Sequence, residues 1–197
     1  MLSTKGIVKC IREAIECTIA VTPAKQVDAI VNPRPIVPKD FVIPERLVCD
    51  GFYLRMLGVN DLIKDYDAVI ASRETLPKIL RPSATWPAEL TLTENLIDLG
   101  WHQREFTLRS SFAYTVATLD DAECLGCCYI DPSDRLGYEV VAWYWGRGDL
   151  LSSGIEERIG SAFRDWLKTD WPFKRVAYPG RDISWAEWLK LAPAWDF

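Results

Sequence analysis

The stretches FAYTVAT (residues 112–118), LGCCYI (125–130), YEVVAWYW (138–145), SGIEERIGSAFRDWLK (153–168) and RVAY (175–178) decide the fold. The first two are short β-branched and aromatic runs separated by the polar residues 120–123, which is the pattern of a hairpin. Asp131-Pro132-Ser133-Asp134 reads as a turn, because proline cannot donate to a ladder and Asp and Ser bond locally to the backbone. A third strand follows. After Gly146-Arg147-Gly148 the apolar period changes from two to 3.6, and Ile155, Ile159, Ala162, Phe163, Trp166 and Leu167 fall on one helical face. Ser153 and Glu156 have capping-box spacing, so the helix is expected to begin there with backbone N–H groups pointing outward, an end that attracts anions. Pro172 stops it. Residues 175–178 can then return parallel to the third strand through a helical crossover.

Working outward, residues 51–57 read as another strand. Asn60 caps a helix carrying Leu62, Ile63, Tyr66, Val69 and Ile70. Thr91 and Glu94 again have capping-box spacing, ahead of an apolar stripe of Leu92, Leu96, Leu99 and Phe106. A last helix spans 184–191, bounded by Pro193. The order strand, two helices, three-stranded meander, long helix, strand, helix implies an α+β fold with a mixed, mostly antiparallel central sheet flanked by helices.

With Phe52-Tyr-Leu-Arg55, Asn60-Asp61, Thr91-Leu-Thr-Glu-Asn95, Leu125-Gly126 and Tyr138-Glu-Val-Val141 in this order and spacing, residues 46 to 191 resemble the GNAT superfamily of acetyl-CoA-dependent N-acyltransferases. The resemblance implies acetyl-CoA between the third meander strand and the final strand, which part at a bulge, with its pyrophosphate on amides at the start of the long helix. Val141, Ala142 and Trp143 would supply backbone contacts and oxyanion donors, and Ser152, Ser153, Gly154 and Ile155 would form the pyrophosphate loop. The family's glycine-rich [Q/R]-x-x-G-x-[G/A] loop is degenerate in this chain: Gly154 stands for one glycine, the leading Gln or Arg is missing, and Glu156 brings negative charge. Arg147 could compensate from outside the register. By the same resemblance Glu139 would be the general base and Tyr178 the acid that protonates the leaving thiolate. Read without the family, Glu139 is an ordinary strand carboxylate facing solvent or an arginine, and Tyr178 packs with its hydroxyl at the rim.

The 197 residues, 49% hydrophobic and 26% charged, suit one compact domain, and the net charge of −5 gives no pull toward nucleic acid or anionic membrane. Basic acceptors, whether small-molecule or protein amines, are tolerated electrostatically. No run is long and apolar enough to span a bilayer, and the charged start excludes a convincing secretory signal, so a cytoplasmic protein is expected. Residues 1–45 read as an N-terminal extension ahead of the acyltransferase-like domain at 46–197. Ile7, Val8, Ile11, Ala14, Ile15 and Ile19 form a helical face that either docks on the chain's own domain or makes a dimer contact. Pro23, Pro33, Pro35, Pro38 and Pro44 mark an extended connector, either a spacer or a strap across the domain.

Of six cysteines only Cys124-x-x-Cys127 has metal-ligand spacing, and consecutive Cys127 and Cys128 point to opposite strand faces, so buried free thiols and no metal are expected. His102 is the single histidine, which removes triads and multi-histidine sites but leaves a helix-borne group that could face substrate. Among nine tryptophans, Trp86 lies in a loop before the second helix and either closes a lid or meets the acceptor; Tyr129 could line a ligand channel beside Trp143 and Trp145. The expected activity is acetyl transfer from acetyl-CoA to a primary amine by direct attack. The rival reading is a non-catalytic module that kept the sheet and lost the cofactor loop.

Overall fold

The computed structural model describes residues 33–79 and 85–194; the N-terminal helix read at residues 7–19, with Cys10 and Cys17, lies outside them. Six strands form one sheet in chain order: β1 (Arg46–Cys49), β2 (Phe52–Met56), β3 (Phe112–Ala117), β4 (Cys124–Pro132), β5 (Val140–Gly146) and β6 (Val176–Ala177). Every neighbouring pair is antiparallel except β5 and β6, which run parallel. The helices are α1 (Leu62–Ala71), α2 (Leu76–Ile79), α3 (Leu92–Leu108), α4 (Ile155–Asp170) and α5 (Trp185–Trp188). The mixed, mostly antiparallel sheet flanked by helices is the architecture that the sequence implies.

Alternation along the strands sends Phe112, Tyr114, Val116, Cys128, Ile130, Ala142 and Tyr144 to one face, where α4 buries Ile155, Ile159, Phe163, Trp166 and Leu167 against them. The other face packs Ala113, Cys127 and Trp145 under α1 and α3, through Ala68, Val69 and Leu99. Between Ile36 and Pro44 the N-terminal connector is hydrogen-bonded to the domain. Ile36 N–H donates to Arg109 O, the Arg109 guanidinium donates to Pro38 O and Phe41 O, and the Tyr114 hydroxyl donates to Pro44 O. Val37, Ile36, Phe41 and Ile43 close the core on the α4 side.

Several local expectations change. The strand read at 51–57 is the second arm of a hairpin whose first arm, β1, lies at the end of the connector. Asp131 and Pro132 belong to β4 instead of a turn, with Pro132 at the strand end where a missing donor costs least. Asn60 caps nothing; Val59–Asp61 is a 3-10 turn and Asp61 precedes α1. On α3 the Thr91–Glu94 capping box is present and Arg109 ends the helix at φ 62°, but Leu92 and Leu96 are exposed while Asn95 and Leu99 are buried. The last helix is shorter than read, yet begins at Ser184 with its own capping box to Glu187. The β3–β4 pairing shifts register between Val116↔Gly126 and Ala117↔Cys124. Gly126 sits there at φ +149°, and a Cβ would stand 2.0 Å from Trp145 O, so the bulge requires glycine.

Candidate functional site

β5 and β6 pair only at Val140↔Val176 and Val141↔Ala177 and then part. An unpaired strand edge must find other partners for its N–H and C=O groups. Along β5 they come from side chains: Tyr144 O accepts from Arg181 Nη2 at 2.9 Å, and Gly146 N–H donates to Glu156 Oε2 at 3.2 Å. Arg181 Nη2 also lies 3.0 Å from Glu156 Oε1, which joins the two plugging side chains. On the α4 face, Arg181 lies 3.8 Å over the Tyr144 ring and Arg164 lies 3.8 Å over the Tyr178 ring, Arg164 being held by both Asp182 oxygens. On the opposite face Trp143 stacks on Trp185 with centroids 5.4 Å apart. The gap therefore exists and is filled by the chain's own groups.

The start of α4 differs from the capping box read in the sequence. A 3-10 turn, Gly148–Ser153, precedes it, and Gly154 at φ 73° is the N-cap with no side-chain cap bond. Ser153 bonds back to Leu150 O and Glu156 is spent on the β5 edge. Ser152 and Ser153 are exposed, and Ile155 is buried. Glu156 and Glu157 occupy the first turn. Arg147 does not offset them: its guanidinium bonds Asp67 and Asp149, which raise its pKa further. The helix dipole favours an anion at this end, but the carboxylates already there oppose one.

Glu139 lies just before β5, at the paired end of the strand instead of in the gap. Its exposed carboxylate accepts from Lys174 N and Arg175 N at 2.7 and 2.8 Å, and those amides hold its pKa below the usual range. Tyr178 follows β6 and is buried; burial pushes its hydroxyl up to about 12 against the pull of Arg164. Val141, Ala142 and Trp143 do line the point where the strands part. The structure thus brings Tyr178 and residues 141–143 to the gap and leaves Glu139 and Arg147 away from it. Arg181, Glu156 and Arg164 carry the closure. Sequence periodicity gave no sign of Arg181, since a loop arginine has no register, and Glu156, read at the helix start, gave no sign of its role at the β5 edge.

His102 and Tyr129 meet on the opposite face, where Trp86 packs against the same core. The His102 and Tyr129 rings are 5.3 Å apart, and Trp86 and Tyr129 both pack against the core under α1 and α3. Trp145 Nε1 donates to the Tyr129 hydroxyl at 3.4 Å. Burial drives His102 down to about 4, so its imidazole is neutral near pH 7. Two residues beyond Tyr129, on the same strand face, Asp131 accepts from the Ser111 hydroxyl and is reached by the Trp143 indole. One turn beyond His102 on α3, burial and the Asp131 charge push Glu105 up to about 7. Both carboxylates went unnoticed in the sequence, Asp131 because Pro132 disguised it as a turn residue. The i, i+3 spacing of His102 and Glu105 was the available signal.

Cys49, Cys124, Cys127 and Cys128 carry free thiols; the last three are buried, whereas Cys49 is only half-buried. Asp65 joins Cys124 and Cys127 with ligand atoms within 4.8 Å of one another. These groups serve as hydrogen-bond partners: Cys127 Sγ donates to Asp65, Cys124 Sγ donates to Gly126 O, and Asn95 donates to Asp65. Burial raises the Cys127 thiol well above its ordinary value, which keeps its proton on.

Comparison of the whole chain places this architecture. The ribosomal-protein-S5-alanine acetyltransferase from Vibrio fischeri superposes with TM-score 0.56 at 15% identity, covering 74% of this chain and 80% of that one. The ribosomal L7/L12 α-N-protein acetyltransferase RimL, in complex with coenzyme A, gives 0.51 at 15% identity, covering 63% and 68%. No protein-family model matches the chain, and no curated protein matches it in sequence. The chain has the fold of the GNAT superfamily of acetyltransferases.

Proposed function

We propose that this chain is an N-acyltransferase, moving an acetyl group from acetyl-CoA to a primary amine, whose donor gap is closed in this conformation by Arg181 and Glu156. The observation that carries the reading is the manner of closure. The β5 edge is satisfied by two side chains rather than by another strand. Those side chains are 24% and 18% exposed, and a partly exposed ion pair contributes only about 1 kcal/mol. An amide-bearing pantetheine arm can replace them bond for bond: its N–H for the guanidinium at Tyr144 O, its C=O for the carboxylate at Gly146 N–H. The bound donor supplies an activated thioester carbonyl. Tyr178, protonated at neutral pH, is the group at the end of β6 able to return a proton to the leaving sulfur. Glu139 would have to release two amides to act as a base, so in this reading it holds the loop before β6.

A second reading, a non-catalytic GNAT-fold module, is favoured by the acidic first turn of α4, where Glu156 and Glu157 disfavour a diphosphate. Thermal melting separates the two. A ligand that binds only the native state adds about 2.7 kcal/mol at a hundred times its Kd, so acetyl-CoA should raise the midpoint of the wild-type chain. Arg181→Ala, which empties the edge at Tyr144, should raise it further at the same acetyl-CoA concentration. No shift for either protein, both folded, decides for the non-catalytic module.

A further inference from the structure

Three buried groups meet where β4 lies under α1. Asp65 comes from α1, Cys124 and Cys127 come from β4, and one ligand atom of each lies within 4.8 Å of the other two. In a regular strand, residues three apart point to opposite faces. The bulge at Gly126 cancels that alternation: Cys124 pairs with Ala117 and Gly126 with Val116, so Leu125 is left over and both cysteines turn to the α1 face. Cys128 points the other way, into the core under α4. The donor spacing is that of a tetrahedral cation. An ion about 2.3 Å from a sulfur and about 2.0 Å from a carboxylate oxygen sets those two donors about 3.5 Å apart, and Cys127 Sγ stands 3.5 Å from Asp65 Oδ1. Two sulfurs on the same ion would stand about 3.8 Å apart, inside the 4.8 Å span of the group. Asp65 is a second, independent sign. It is 4% exposed, yet among the described residues it takes part in no ion pair, and a carboxylate buried without positive charge beside it is costly.

We propose that Asp65, Cys124 and Cys127 form a binding site for a thiophilic divalent cation, zinc in the first place, with the Tyr129 hydroxyl at the fourth corner. Without the cation the two thiols keep their protons and bond to Asp65 and to Gly126 O. On binding, both S–H bonds give way to Zn–S bonds and two protons leave to water. The Tyr129 hydroxyl is hydrogen-bonded to the Cys127 thiol and accepts from Trp145 Nε1. Metal ligands need outer partners that fix their direction. These are in place: Asn95 Nδ2 donates to the far oxygen of Asp65 at 2.9 Å, and the Thr115 hydroxyl donates to Cys124 Sγ at 3.5 Å. The ion clips α1 to β4 on the face away from α4, a structural role that does not depend on acyl transfer.

Because the ligands are buried, the full chain is refolded from denaturant in a reducing, metal-free buffer, with and without Zn²⁺ or Co²⁺. It should retain one ion per chain through desalting, and Zn²⁺ should raise its melting midpoint. Co²⁺ should give thiolate charge-transfer bands together with the ligand-field bands of a tetrahedral site. The pH dependence of zinc affinity should correspond to about two protons displaced per ion. Cys124→Ser and Cys127→Ser should each weaken zinc tenfold or more, whereas Cys128→Ser, with its thiol on the other face, should leave the affinity unchanged. Should those two variants fail to fold, Co²⁺ added to the chain carrying Cys10→Ser, Cys17→Ser and Cys49→Ser still decides, since β4 is then the only source of thiolate: the bands must persist. No retained ion, a Co²⁺ spectrum without thiolate bands, bands lost in that triple variant, or unchanged affinity in either Cys124→Ser or Cys127→Ser overturns the proposal.

Discussion

At Glu139 a residue that resembles a catalytic base is spent on two backbone amides. A carboxylate accepting charge-assisted bonds from Lys174 N and Arg175 N fixes the approach of β6 to β5. Its folded pKa is held below the ordinary value of 4.5, so the stabilisation is present above about pH 4.5 and is lost as the pH falls through the folded value. Glu139→Gln keeps an acceptor oxygen and removes the charge. Its melting midpoint should lie below wild type at pH 7, and the two should converge as the pH falls below 4.5 through the folded pKa. A constant difference across that range would show that charge is not what the position contributes.

Among the elements, the two capping boxes that formed and the one that did not show how far local chemistry reaches. Thr91–Glu94 and Ser184–Glu187 cap α3 and α5 because nothing else competes for those glutamates. Glu156 has the same spacing from Ser153, but it lies beside the open edge of β5 and is drawn there. α4 also depends on a close approach no helix pattern reveals. At Gly160 a Cβ would stand 2.4 Å from the Tyr144 ring, which is itself sandwiched under Arg181. Gly160→Ala gains up to about 1 kcal/mol of helix propensity but must expel the ring, and overpacking of this kind costs about 1–3 kcal/mol. It should lower the midpoint in denaturant melts. Gly100→Ala, mid-α3 with no atom within 4 Å of the added Cβ, should raise it. A rise in both would mean that Tyr144 moves freely.

Over the whole molecule the acids set an unusual pH dependence. Asp98 is raised to about 6 and Glu105 to about 7, and Asp65 and Asp131 are also raised, all chiefly by burial. A carboxyl whose folded pKa exceeds its unfolded value binds more protons when folded, so its contribution falls as the pH rises through that window. His102, lowered to about 4 from an ordinary 6.5, acts in the opposite sense, adding stability as the pH rises between those values. Asp98 and Glu105 titrate within the range from pH 5.5 to 7.5, where the one imidazole opposes them only below about 6.5. The midpoint should therefore fall between pH 5.5 and 7.5, and Glu105→Gln should flatten that fall and raise the midpoint at pH 7.5. A midpoint that climbs over the same range would contradict the burial of these groups.

Periodicity and turn chemistry determined by themselves the meander, the crossover helix and the parallel return strand, because each is a local pattern that only one packing can bury. The helical face named from spacing between Ile155 and Leu167 is the one that α4 buries against the sheet. The connector's register, β1 and the bulge at Gly126 were not legible, since each depends on which distant backbone lies alongside. The site was legible only as aromatic and acidic candidates. That the His102 and Tyr129 rings meet, that the Asp131 charge reaches Glu105, and that Arg181 and Glu156 close the β5 edge were decided by tertiary structure alone. Hydrogen bonds and charges act over a few ångströms in space, and spacing along a chain does not measure that distance.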